Sequence, residues 1–189
     1  RLDPMTGDDL AAWTLSLAWA EHQCCVSVGR WSVAATVDGV TAALGPVSAH
    51  HGWRAEQWRE LWPARRGGLD GAAADPPPPA GVDDPLEGLI DEVLAADRAL
   101  GPTDGERWDE PTSVAALRVA AQMILPRLMV GYRTLVRLAD GPAGVVVRRS
   151  AERSLGDATS DFLAVSGKLG ALGCSPTATA TLSAWVEPQ

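Results

Sequence analysis

The chain has 189 residues, 46% hydrophobic, 21% charged and 5% aromatic, which fits one ordinary globular domain with enough apolar material for a core that needs no staples. Twenty-four acidic residues against sixteen basic ones give a net charge of −8, so no global positive field draws nucleic acid to it. Cys24, Cys25 and Cys174 form neither a disulfide ladder nor a zinc spacing, residues 10–20 stop short of the roughly 20 apolar residues of a membrane span, and no signal-peptide pattern occurs, so the expected setting is the reducing cytoplasm.

Thr6 followed by Asp9 is a capping pair, in which the hydroxyl serves an orphan N–H and the carboxylate returns to the cap. Leu10, Trp13, Leu17, Glu21, Cys24, Val28, Trp31 and Ala35 then recur every three or four residues, which predicts a helix over 8–35. Asp38 and Gly39 mark a break. A second stripe, Val40, Leu44, Val47, His51, Ala55, Trp58 and Trp62, predicts a helix over 40–62. Residues 64–85, with four prolines at 76–79, lack core-forming side chains and read as a flexible linker.

A short amphipathic helix is expected over 86–99, lying across the bundle rather than along it. Val114, Leu117, Ala121, Leu125, Leu128, Tyr132, Leu135 and Leu138 predict a long helix over 111–139, which Pro126 should bend. Asp140, Gly141 and Pro142 interrupt it. Ala151, Leu155, Ala158, Phe162, Val165 and Leu169 predict the last helix, over 143–170, and the tail beyond Cys174 has one anchor, Trp185. Two helical hairpins joined by about fifty residues imply a single all-α domain across 1–189. It should be a four-helix bundle whose second and third long helices run parallel through a long crossover that carries the short helix.

Glu21 lies on the core stripe, where an unpaired carboxylate costs several kcal/mol, so it needs a partner. It stands about fifteen residues before the first turn and His51 about twelve after it, roughly 22 and 18 Å at 1.5 Å per residue, which places them in one layer. With this spacing the chain resembles the ferritin-like superfamily, whose di-iron members carry one Glu on the first helix and Glu-x-x-His on the second, repeated on the third and fourth. The resemblance covers roughly residues 8–62 and 110–170. It puts Glu21 and His51 at ligand positions but Ser48, Leu128 and Leu155 where Glu, Glu and His belong, while Glu152 keeps a carboxylate. Two irons need bridging carboxylates from both halves, so the ligand set is degenerate.

Two readings fit these polar residues. Glu21 and His51 form a buried acid–imidazole hydrogen bond, with no cofactor. Alternatively, Glu21, His51 and Glu152 hold one Fe, Mn or Zn ion, which the imidazole favours. Residues 50–58 gather His50, Trp53, Arg54, Glu56 and Trp58 within two helical turns. They offer a helix capped by Trp with its charges in water, or a small-molecule pocket with stacking and anion contacts.

Residues 1–110 hold nineteen acids and eight bases, and 111–189 five and eight. The Arg cluster of Arg133, Arg137, Arg148, Arg149 and Arg153 can therefore meet phosphate, an acidic partner or the acidic half of another copy. The leading expectation is a bundle without an intact di-iron site that binds a protein or small-molecule partner, with a homodimer expected from its Trp-rich faces. The alternative is a metal-dependent oxidoreductase or hydroxylase acting on tRNA or a small molecule.

Overall fold

The computed structural model describes residues 5–61, 86, 88–101 and 107–174. Among them it is all helical: α1 (Gly7–Ala34), α2 (Asp38–Glu60), α3 (Leu89–Leu100), α4 (Glu110–Leu138) and α5 (Gly141–Ala171). The linker expected over 64–85, Trp62 and the tail with Trp185 lie outside the described residues.

Local chemistry sets the helix ends. Thr6 and Asp9 close the reciprocal box, with Thr6 N–H donating to Asp9 Oδ2 at 2.9 Å and Asp9 N–H to Thr6 Oγ1 at 3.2 Å. Asp109 caps α4 by accepting from the Thr112 N–H at 2.9 Å, and Pro111 sits in the first turn, where no N–H is needed. At the far end of α5 the chain turns through Gly173 at φ +70°, and Cys174 N–H donates back to the Leu169 carbonyl at 3.0 Å. This left-handed closure costs least with glycine.

The four stripes become the core. Trp31, Trp58, Tyr132, Leu17, Leu44, Leu117 and Leu128 are fully buried, as are Glu21 and His51. Pro126, expected to bend the helix, leaves its mark in the hydrogen-bond ladder. Lacking an N–H, it cannot continue the i−4 ladder, and a π turn over Ala120–Ile124 precedes it, with Leu125 N–H reaching back to the Ala120 carbonyl. By length and average hydropathy α4 is the one described helix that would span a membrane, and half of its most apolar window is buried in the bundle.

Hydrogen bonds at the helix ends fix the directions. Met5 N–H donates to the Leu138 carbonyl, while at the other end Trp108 N–H donates to the Ala34 carbonyl and Thr36 Oγ1–H to the Trp108 carbonyl. Thus α1 and α4 run oppositely. Since α2 turns back from α1 after three residues, α2 and α4 run in the same direction.

The short helix departs from expectation: α3 lies along α1, not across the bundle. Leu86 rests over Gly131 beside Leu17, and eleven residues later Asp97 accepts from Trp31 Nε1–H at 2.8 Å and from Arg30 Nη1–H at 2.8 Å. The cause is the stripe Leu86, Leu89, Val93 and Asp97, all buried, which a transverse helix could not bury over its whole length.

Candidate functional site

The chemistry sits where α1, α2 and α5 meet. Steps of four, three and four from Val47 bring His51, Arg54 and Trp58 to one face of α2, and Glu21 faces them from α1. The Glu21 carboxylate is fully used: Oε2 accepts from His51 Nδ1–H, and Oε1 accepts from Arg54 Nε–H at 2.8 Å. Arg54 continues across the bundle, donating from Nη1 to Asp161 Oδ2 of α5 at 3.0 Å. The other oxygen of Asp161 meets His50 Nδ1 at 2.6 Å. Glu21, His51 and Arg54 are wholly buried, Asp161 is 4% exposed, and the His50 side chain alone stands half in water.

Proton positions follow from the charges. Burial works to raise the Glu21 pKa, but Arg54 and His51 outweigh it, and the carboxyl stays ionised below its ordinary range. Burial likewise acts against the Arg54 cation, and Glu21 and Asp161 more than compensate, so Arg54 holds its proton more tightly than usual. For His51 burial prevails over Glu21 and lowers its pKa, leaving a neutral ring. A neutral imidazole beside an ionised carboxylate places its single proton on Nδ1, directed to Glu21. The 3.0 Å approach of Arg54 Nη2 to Nδ1 is then a contact, not a hydrogen bond, because that nitrogen has no free lone pair. The lone pair is on Nε2, which is buried without a hydrogen-bond partner.

The candidates divide accordingly. Glu21 and His51 meet, as their depths required. Glu152 does not join them: it is exposed, and the α5 carboxylate that reaches the network is Asp161, nine residues further on. The pocket expected from residues 50–58 is not formed by those side chains, because the helical turn sends His50, Trp53 and Glu56 to the surface and Arg54 and Trp58 to the core. Trp58 stacks on Tyr132 of α4, with ring centroids 5.9 Å apart. Arg54 is also the residue expected in water that proves wholly buried.

Two residues carry what sequence reasoning missed, and both had a signal. Arg54 is three after His51 and four before Trp58; Asp161 is three after Ala158 and four before Val165, so each lies on its stripe. Taking Ala55 and Phe162 as the stripe positions hid them.

At position 48, where the resemblance needs a glutamate, α1 and α2 approach closely. Ser48 Oγ–H donates to the Cys25 carbonyl at 2.9 Å, and a Cβ on Gly29 would stand 2.9 Å from that hydroxyl. A longer side chain at 48 would have to give up this contact. Cys24 and Cys25 are free thiols, and burial, aided by Glu21, pushes the Cys24 pKa well up, which leaves it an inert core residue.

Among the described residues no group of three His, Cys, Asp or Glu side chains converges in a metal-binding arrangement. What the site does chemically is hold a guanidinium between carboxylates from two hairpins. Comparison of the chain with protein-family models, curated proteins and solved structures found no match.

Proposed function

We propose that this chain is a ferritin-like helical bundle without a di-iron site, working in the cytoplasm as a binding or protein-interaction module. One observation carries this reading: Arg54 stands between Glu21 and Asp161 and supplies the positive charge that these buried carboxylates require. Every oxygen of the two carboxylates already has a partner within the chain. A divalent ion would have to displace a guanidinium tied to both. Ser48, Leu128 and Leu155 at the remaining ligand positions support the same conclusion.

A second reading has one supporting observation, the unpartnered Nε2 of His51, whose lone pair suits a metal. It makes the chain an oxidoreductase using one ion. Elemental mass spectrometry on tag-free protein from metal-supplemented cells separates the two. Absence of stoichiometric metal, with a melting temperature unmoved by chelator, is the expected result. About one Fe, Mn or Zn per chain, lost in His51→Ala, would overturn the module reading in favour of the enzyme.

A further inference from the structure

The end of the bundle where α2 stops has a feature that the buried network does not use. α2 ends at Glu60, and its neighbours α1 and α5 leave between them an open cleft of about 210 Å³. Leu10, Ala11 and Thr14 of α1, Leu61, and Val146 and Val147 of α5 line it. Val146 on its rim is 53% exposed, and Val145 beside it is exposed too. Apolar side chains grouped around a cleft in this way mark a contact surface more often than scattered ones do.

Charge on the two rims differs in sign. The α1 rim carries exposed Asp8 and Asp9, and α1 has no Lys or Arg before Arg30. The α5 rim carries Arg149 and Arg153, one and two turns beyond Val146 and both exposed, against the exposed acid Glu152 between them, so that this stretch is net positive. Because α1 and α5 both begin at this end, they run in the same direction. A twofold axis parallel to them lays the α1 rim of one copy on the α5 rim of the other at the same level. Acid then meets base twice, with the valines enclosed between the rims.

We propose that a second copy of this chain docks on this cleft, as a twofold dimer centred on Val146 and bordered by Asp8 and Arg149 of opposite copies. The proposal rests on the interaction-module reading and names its partner. Metal content decides that reading, whereas assembly state decides this one.

Sedimentation velocity on the full chain over a range of concentrations is the test. Wild-type protein should sediment as a dimer and Val146→Glu as a monomer with unchanged helical circular dichroism. Leu163→Glu, at an exposed apolar site elsewhere on α5, should remain dimeric. Asp8→Arg and Arg149→Glu should each weaken the dimer about two- to five-fold at low salt, in keeping with rim ion pairs, and combining them should restore it. Should Val146→Glu lose its helical signal, the charge exchange alone decides. A wild-type monomer at every concentration, a dimer indifferent to a folded Val146→Glu, or charge variants whose effects simply add would overturn the proposal.

Discussion

Replacing Arg54 by methionine keeps an unbranched apolar stem and removes the guanidinium, so that two buried carboxylates lose their cation. The structure gives the size of the effect by two routes. Arg54 makes two charge-assisted hydrogen bonds, at 2.8 Å to Glu21 and 3.0 Å to Asp161, each worth about 1.5–3 kcal/mol. Breaking a buried ion pair from one side costs about 3–5 kcal/mol, because the partner is left uncompensated. The routes agree on a loss near 4 kcal/mol, a large part of the ~5–15 kcal/mol that holds a domain folded. At about 2–4 °C per kcal/mol for a chain of this size, melting should fall by roughly 6–20 °C. Urea unfolding at neutral pH, followed by tryptophan fluorescence, measures it.

The same reasoning fixes two companion results. Adding Glu21→Gln to Arg54→Met should recover part of the loss, giving a coupling of at least ~1 kcal/mol, well beyond the scatter expected of independent sites. The deficit of Arg54→Met should also shrink as pH falls, because without the cation, burial, the largest influence on Glu21, is opposed only by His51 and favours the protonated form. A loss below ~1 kcal/mol, or additivity of the two substitutions, would refute the assignment of Arg54 as the internal cation.

Three further outcomes are expected. Wild-type stability should decline in two stages with acid. Below the ordinary 6.5 of histidine the unfolded chain binds a proton that buried His51 refuses. Below the ordinary 4.5 of glutamate the unfolded chain likewise protonates before Glu21 does, so the Glu21 contribution, present above 4.5, disappears as pH passes through its lower folded value. His51→Gln should lack the first stage, so its stability difference from wild type should change between pH 7 and 5; a difference flat over that range would contradict it. Asp97→Ala should cost about 1–3 kcal/mol by orphaning the buried Trp31 N–H and should raise amide exchange in α3 before the other helices; uniform exchange would count against α3 as an independently held strap. Finally, Arg54→Gly opens a space faced by Glu21, Asp161 and His51, and this variant should bind cobalt(II) with a visible absorption band that wild type lacks; equal response from both proteins would exclude guanidinium-for-metal replacement.

Much of this architecture is written in helical spacing. The stripes from Leu10 to Ala35 and from Val40 to Trp58 are buried throughout, because an apolar face repeating every three or four residues has one efficient way to leave water. Depth counting from the first turn also placed Glu21 and His51 together, since rise per residue is nearly constant. The omissions have a common cause: a stripe one residue wide understates a buried face, and Arg54 and Asp161 are buried beside Ala55 and Phe162, not instead of them. Arg54 and Ala55 are both compatible with the α2 stripe, as are Asp161 and Phe162 with that of α5. The polar members declare themselves only when helices on both sides are placed, because a buried arginine is tolerable solely where carboxylates from other elements meet it. Glu152 failed as a candidate for the same reason: proximity to Ala151 in sequence says nothing about facing α1. The lengthwise course of α3 depends on Trp31 as well, whose buried indole N–H finds its acceptor in Asp97 on that neighbouring helix.

The network also bears on why a bundle would keep charge in its core. An apolar replacement of similar volume is often equally stable or better, so stability alone does not account for Glu21, His51, Arg54 and Asp161. Each of the two hairpins is held by its own apolar seam, and a seam repeating every three or four residues tolerates a slide of one turn at the cost of its packing alone. A guanidinium that must meet Glu21 of the first hairpin and Asp161 of the second does not: a shift of one turn, about 5.4 Å, would break bonds of 2.8 and 3.0 Å and leave charge unpaired. Arg54 therefore adds to a register that the Met5–Leu138 and Trp108–Ala34 hydrogen bonds and the Trp58–Tyr132 stack also hold between the hairpins. That register also brings Val146 and Val147 of α5 to the same cleft as Leu10 and Thr14 of α1, so the interior charge contributes to the surface on which a second copy is proposed to dock.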